Sequence, residues 1–442
     1  MQQPQAQPAE KFSEKFTDHA VNGVNPTEQT ADFVAAHRTE DVRQLALKAK
    51  RVEGLDLPLA LDQIAGWQIA CKKLPQWASC EGIIYPPHIS MEQCSSQFTA
   101  QYKSEIAQTL LTPAVTVRAR MSDSPESDTL VARSSMVDLT GGFGVDFSYL
   151  ARGFSQATYV ERQWHLCDLA EHNMAALGLD QARIVCGDGV EYLRQMGPVD
   201  FIYLDPARRD EHGSRTYAIE DCTPNVLELR DLLLAKSQYT LVKLSPMLDW
   251  RKAVADFDGT VREVHIVATG NECKELLLVL GQQVHEEPSA PRVFCVNDNQ
   301  RIDYDSAAYT QGLRIGGKPL PEAKNYLYEP NASIMKAGCF DLVEERFGVT
   351  QVGPSSHLFV SATPVADFPG RGFAIEAIGG MNKKDIKRLL NGTKQANIAV
   401  RNFPLTAPQL RKKLKLADGG PVYLFGTTMQ GCDHVLLRTS KI

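Results

Sequence analysis

No stretch of this 442-residue chain approaches the ~18 consecutive apolar residues that a membrane span needs, so no membrane partner is expected. The opening residues, MQQPQAQPAEKFSEK, have neither an apolar core nor a small-residue cleavage site, and no secretion signal is expected there. The ten cysteines run from Cys71 to Cys432 without a CxxC pair or a Cys/His cluster. Such spacing offers no metal site and fits reduced, packed thiols in a cytoplasm better than disulfides. Internal repeats are also lacking. Neither charge sign is scarce overall, with 47 Lys/Arg against 53 Asp/Glu and a net of −6. The balance is uneven, however. Residues 371–442 hold thirteen Lys/Arg and four Asp/Glu, a net of +9, which leaves −15 for residues 1–370. A basic tail on an acidic body suggests a polyanion-binding surface; two solvated Lys-rich helix faces would give the same count.

What is present describes an ordinary globular chain, 43% apolar and 23% charged, long enough for two to four domains. Residues 1–30 are rich in Gln, Pro, Glu and Thr and read as disordered. Three helical patterns follow within a helical N-terminal domain at 31–125: DVRQLALKAKR, LALDQIAGWQIACKKL and SMEQCSSQFTAQYKSEIAQTLL. In the third, Ser90 and Gln93 have the spacing of a capping box. MSDSPESD (121–128) has the composition of a linker. Over 129–285 the texture changes to short apolar strands alternating with helices: SSMVDL, ATYVER, ARIVCG, VDFIYLDP and YTLVKLSP. That alternation predicts parallel βαβ units. VREVHIVATGNECKELLLVL then predicts two strands around a Gly270-Asn271 turn. Beyond residue 285 the pattern is α+β, with basic helices in MNKKDIKRLLN and TAPQLRKKLK.

The first strand ends at Asp138 and runs through Leu139 and Thr140 into Gly141-Gly142-Phe143-Gly144 and a helix. Glycines let a backbone turn sharply and approach a ligand, and the helix that follows offers unpaired N–H groups. Dinucleotide sites use such turns too, but their third glycine would fall at Phe147 here. Asp138, before the glycines, suits a ligand ammonium. Glu161 ends the second strand, where a carboxylate can take ribose hydroxyls, and Asp188 follows the third, where it can meet an adenine amino group. Three carboxylates at successive strand ends beside a glycine turn favour S-adenosylmethionine as cofactor, bound by Asp138, Thr140, Gly141, Gly142, Phe143, Gly144, Glu161 and Asp188.

The fourth strand runs into Asp205-Pro206-Ala207-Arg208-Arg209. Amino-methylating enzymes carry Asp/Asn-Pro-Pro and an aromatic residue at this place. A base amine is a poor nucleophile because its lone pair is delocalised. Hydrogen bonds to an Asp side chain and a backbone carbonyl localise that pair, so positioning and electrostatics carry the rate. Asp205 and the Pro206 carbonyl keep both acceptors; Arg208 stands where the aromatic would, able to stack on a base or hold a phosphate. Asp205, Pro206 and Arg208 are therefore the catalytic candidates, although Asp205 as a mere loop cap remains open. Methylation at pyrimidine C5 needs a cysteine near the fourth or fifth strand end, and neither DPARR nor KLSP has one. Lys243 and Asn271 are further candidates for lining a pocket.

The segments MEQCSSQFTAQYK, DLTGGFGVDFSYLA, LDPARRD, YEPNASIMKAG and RNFPLTAPQLRKKLKLADGG together resemble a bacterial family of class I S-adenosylmethionine-dependent methyltransferases with a C-terminal THUMP-like domain. The resemblance implies an α/β fold: a Rossmann-like methyltransferase core with an N-terminal helical domain and a C-terminal α+β THUMP-like domain. It places a ferredoxin-like segment near 327–369 and the THUMP-like domain at 370–442. THUMP domains bind RNA in tRNA-modifying enzymes, so the resemblance implies tRNA or rRNA as partner. Lys383, Lys384, Lys387, Arg388, Arg411, Lys412, Lys413 and Lys415 are the matching phosphate contacts, giving affinity and register without sequence choice. Methylation of a base amine in structured RNA is the leading expectation. A small-molecule or protein methyltransferase, a noncatalytic RNA-binding protein of this fold, and a nicotinamide enzyme are the rivals.

Overall fold

The computed structural model describes residues 26–48, 53–112, 134–208, 219–282, 290–309, 324–431 and 433–442. Two compact units divide the chain: Met1–Leu244 with Ala255–Thr260 and Val279–Glu286, and Ser245–Val254 with Val261–Leu278 and Glu287–Ile442. Most of the N-terminal stretch expected to be disordered, and the linker at 121–128, lie outside the described residues. A helix already begins at Glu28, capped by Thr27 Oγ1 on the Thr30 amide at 3.2 Å, so order starts inside the stretch set at 1–30.

The first unit opens with α1 (Glu28–His37), α2 (Val42–Lys48), α3 (Leu57–Lys73), α4 (Pro75–Ser79), α5 (His88–Gln93) and α6 (Gln97–Leu111). The capping box expected at Ser90 does not form. α5 starts after Pro87, the chain turns extended at Cys94, and Ser96 caps α6 by accepting the Thr99 amide at 3.3 Å. Two helices replace the single predicted one because Ser96 caps a new start, while Ser90 lies inside the short helix α5 and caps nothing. Nor does this helical segment stand as a separate body. Trp77 of α4, 1% exposed, packs its ring 5.0 Å from Phe143 of the glycine turn and donates to Ser148 Oγ at 3.2 Å.

The sheet of this unit contains β1 (Ser135–Asp138), β2 (Gln156–Glu161), β3 (Ala182–Cys186), β4 (Val199–Leu204) and β7 (Ser237–Leu244), in the order β7-β4-β1-β2-β3 and all parallel. Two-residue strands β5 (Ala207–Arg208) and β6 (Cys222–Thr223) pair beyond β4. Helices α7 (Val145–Leu150), α8 (Trp164–Ala176), α9 (Gly189–Gln195) and α10 (Val226–Lys236) connect the strands. The chain leaves β1 toward β2 and β3, then returns to β4 on the other side. Where the order reverses, the carboxyl ends of β1 and β4 leave a crevice, the usual ligand position of open α/β sheets.

In the second unit β8 (Val261–Thr269) and β9 (Glu272–Gly281, in this unit through Leu278) form the predicted hairpin. Gly270 and Asn271 have φ of 58° and 62°, the left-handed pair that a two-residue turn requires. Asn271 is structural: its side-chain oxygen accepts the Ala332 amide at 2.8 Å. β10 (Arg292–Asn297) runs parallel to β8, and β11 (Gln300–Asp305) antiparallel to β10.

A second sheet has seven strands in the order β13-β14-β12-β15-β18-β17-β16. These are β12 (Tyr326–Pro330), β13 (Thr350–Gln351), β14 (Phe359–Ser361), β15 (Gly370–Gly379), β16 (Asn397–Arg401), β17 (Val422–Thr428) and β18 (His434–Lys441). Helices α11 (Lys383–Leu390) and α12 (Ala407–Leu414) accompany them. Side chains alternate across a pleated strand, so Leu424 and Leu436 join a cluster with Leu389, Leu410 and Leu414, while neighbours Phe425 and Leu437 join Leu327, Val360 and Phe373. The segments expected as separate ferredoxin-like and THUMP-like parts thus share one sheet. Buried Glu329 of β12 binds them further, accepting from Arg371 Nε at 3.0 Å and Arg401 Nη2 at 2.9 Å.

Candidate active site

A partly open cavity of about 70 Å³ lies at the ends of β1 and β4. Asp138, Thr140, Gly141, Gly142, Phe143, Gly144 and Asp205 all line it, as does Lys243. Cys94, Ser95, Val145, Asp146 and Tyr203 complete the wall. Steric space and backbone conformation both require glycine in this turn. A Cβ on Gly141 would lie 2.2 Å from the Tyr159 ring, and Gly142 and Gly144 have φ of 55° and 85°. Phe147, at the place of a dinucleotide site's third glycine, is wholly buried with its ring 5.5 Å from that of Tyr159.

Thr140 joins the two strand ends. Its amide donates to Asp138 Oδ1 at 2.9 Å and its Oγ1 accepts the Asp205 amide at 2.7 Å. Asp138 is 1% exposed, and burial pushes its carboxyl up to about 8, partly offset by the Thr140 bonds. Glu161 braces the turn: Oε2 accepts the Gly142 amide at 3.1 Å and Oε1 the Gln163 amide at 2.9 Å. Asp188 caps α9 through the Val190 and Glu191 amides, at 2.9 and 3.0 Å. Neither Glu161 nor Asp188 is among the residues lining the cavity; each stands at its predicted strand end, already bonded. Pro206 is buried beside Asp205, and the Arg208 side chain lies outside the described residues.

Sequence reasoning named Lys243 and Asp205 but missed the charged cluster to which they belong. Lys103 of α6, with a fully buried side chain, places Nζ 3.2 Å from Asp146 Oδ1. Asp146 Oδ2 accepts from Tyr203 Oη at 2.7 Å and Ser95 Oγ at 2.8 Å, and lies 3.7 Å from Lys243 Nζ. Burial raises the Asp146 carboxyl, but Lys103, Lys243 and the two hydroxyls outweigh it and hold it below the usual range. Lys243 Nζ donates to Asp205 Oδ2 at 2.6 Å. The signal for Lys103 was present: it shares a buried helical stripe with Ala100 and Ala107, where a lysine needs a partner.

In the second unit, Lys383, Lys384 and Lys387 of α11 and Lys412, Lys413 and Lys415 of α12 and its end are exposed. None has an ion pair among the described residues. Arg388 and Arg411 are committed instead, Arg388 to Asp385 Oδ1 and the Ile378 carbonyl at 3.0 and 2.8 Å, Arg411 to Asp418. Nine described cysteines carry free thiols, and among the described residues no helix is long and apolar enough to cross a membrane.

Residues 326–369 match the model of a ferredoxin-like domain, and 370–441 that of a THUMP domain-like family. A crystal structure from Porphyromonas gingivalis W83, described as a "putative methyltransferase", is 30% identical over 93% of this chain and 97% of its own, with a TM-score of 0.77. This chain belongs to that methyltransferase family with a C-terminal THUMP-like domain. The family's α/β core accounts for the first unit's parallel sheet and the crevice at the ends of β1 and β4. Other likenesses are far weaker. An O-methyltransferase from Bacillus cereus in complex with SAH is 10% identical over 57% of this chain and 100% of its own, with a TM-score of 0.31. An RNA methyltransferase candidate from Pyrococcus horikoshii is 12% identical over 50% and 98%, also at 0.31. Scores that low are no basis for inference. No protein of curated function matches.

Proposed function

We propose that the chain is an S-adenosylmethionine-dependent methyltransferase acting on structured RNA such as tRNA or rRNA. The observation that carries the cofactor is the glycine turn at the switch point, flanked by Asp138 and braced by Glu161. The residues lining the cavity suit the group's amino-acid end. Asp138 would meet its ammonium, the Gly141–Gly144 backbone its amino-acid end, Glu161 its ribose hydroxyls and Asp188 its adenine amine. Bound there, the cofactor supplies an electrophilic methyl group on a sulfonium, already a good leaving group. The chain's own task is then to place and polarise an acceptor at the end of β4.

RNA is supported by the THUMP-like domain and by six exposed lysines on two of its helical segments. Within that substrate class, Asp205 and the Pro206 carbonyl could accept the protons of a base amine, as the sequence suggests. One observation favours a second reading, an oxygen acceptor: Lys243 already occupies Asp205 Oδ2. The test is to incubate the full chain with S-adenosyl-[methyl-³H]methionine and bulk RNA from cells lacking the gene. Label should enter RNA, disappear in Asp205→Ala, and fall steeply with rising salt. Label in protein or small molecules alone would move the substrate class. Binding of RNA and cofactor without transfer would leave a noncatalytic RNA-binding protein.

A further inference from the structure

We infer that the acceptor atom is a hydroxyl oxygen, the ribose 2′-hydroxyl of the RNA, and that Asp205 and Lys243 form the acid–base pair that activates it. This rests on the methyltransferase reading above and narrows it. The carrying observation is the chain of groups Lys103–Asp146–Lys243–Asp205, with Ser95 and Tyr203 bonded to its centre. Its inner half is sequestered, the Lys103 and Asp146 side chains being 0% and 10% exposed; its outer half is accessible, Lys243 and Asp205 being 16% and 41%. Ser95 Oγ lies 3.3 Å from Lys103 Nζ and 3.4 Å from Lys243 Nζ, so one hydroxyl spans both ammoniums.

The chemistry of the two acceptors differs in sign. An attacking amine gains positive charge as the N–C bond forms, and an ammonium 2.6 Å from the carboxylate that receives it opposes that change. An alcohol is neutral and weakly acidic, so it must lose a proton, and negative charge builds on its oxygen as it does. A cation beside a carboxylate base favours that course. The hydroxyl proton passes to Asp205, the oxygen lone pair forms the new O–C bond, and the S–C bond breaks with its electrons going to sulfur. Lys243, bonded to Asp205 Oδ2, orients that carboxylate and steadies the oxyanion. Lys103 acts through Asp146 and is a positioning residue. In structured RNA every internal nucleotide carries such a hydroxyl at the 2′ position.

The experiment is product analysis of RNA labelled by the full-length protein with S-adenosyl-[methyl-³H]methionine. A 2′-O-methyl group blocks alkaline cleavage at its own phosphodiester, so label should appear in alkali-resistant dinucleotides. Label in ordinary mononucleotides, carried on the base, overturns the inference and leaves the RNA methyltransferase reading standing. Absence of label on RNA, with S-adenosylhomocysteine still bound, overturns both. Asp205→Asn supplies the independent check. Asparagine keeps the oxygen that an amine needs but is no base, so a hydroxyl acceptor predicts a fall in kcat of about 100-fold or more. Cofactor affinity should stay within about threefold, and a near-normal kcat would overturn the assignment. Lys243→Met should lower kcat comparably and Lys243→Arg restore part of it; equal loss in both, with the fold intact by circular dichroism, counts against a charge role.

Discussion

Asp138 titrates far from its ordinary range, and both stability and binding should register it. A carboxyl that ionises near 3.8 when free but near 8 in the fold is protonated in the folded chain across a window where the unfolded chain is charged. The folded state then binds the extra proton, and its stability falls as pH rises from about 4 to about 8. Asp138→Asn should remove that decline, keeping the acceptor for the Thr140 amide while losing the charge for the ligand. Melting temperatures of both proteins from pH 5 to 9 check this; parallel curves would show Asp138 ionised throughout. The same carboxyl should release a proton when an ammonium-bearing ligand binds at pH 7, seen as a binding enthalpy that varies with the buffer. Gly141 gives a steric counterpart. A Cβ 2.2 Å from Tyr159 forces ring or backbone to move, so Gly141→Ala should cost about 1–3 kcal/mol in denaturant unfolding, and weaken S-adenosylhomocysteine binding.

Among the elements, those with strong local rules were legible in the sequence. β1 to β4 and β7 appear where short apolar runs end in turn residues, and the β8–β9 hairpin follows from a Gly-Asn pair that tolerates positive φ. α5 and α6 were read as one helix because apolar periodicity continues through Cys94–Ser96, while the break depends on which serine caps. β13, two residues long, has too little pattern to announce itself and exists by pairing with β14. The charged wall was missed for a similar reason: its members come from α6, α7, β4 and β7, and only folding brings them together. α6 therefore does more than cover the crevice. Lys103→Met should cost about 3–5 kcal/mol by leaving Asp146 buried without its main cation, measured by urea unfolding at pH 7. Because Asp146 is held below its usual range, the stability it contributes is present above the free carboxyl's value and lost as pH falls through the folded one. The penalty of Lys103→Met should therefore shrink toward pH 3.

For the whole molecule, charge asymmetry was legible and its division of labour was not. Eight basic residues looked equivalent along the chain, yet Arg388 and Arg411 are held by Asp385 and Asp418 while six lysines stay exposed. Lys383→Glu, Lys384→Glu and Lys387→Glu together should weaken RNA binding and flatten its dependence on log salt by roughly 0.7–0.9 for each phosphate no longer neutralised. Arg411→Ala should change that slope little and lower thermal stability instead. Filter binding between 50 and 300 mM salt separates the two, and equal slopes for all variants would place the RNA-binding surface elsewhere. The cofactor claim underlies everything else, and calorimetric titration with S-adenosylhomocysteine tests it most directly. Saturable one-site binding is expected, weakened at least about tenfold by Asp138→Ala and by Glu161→Ala, with no response to NAD. Folded, ligand-free protein that fails to bind, or binds equally well in both variants, would contradict it.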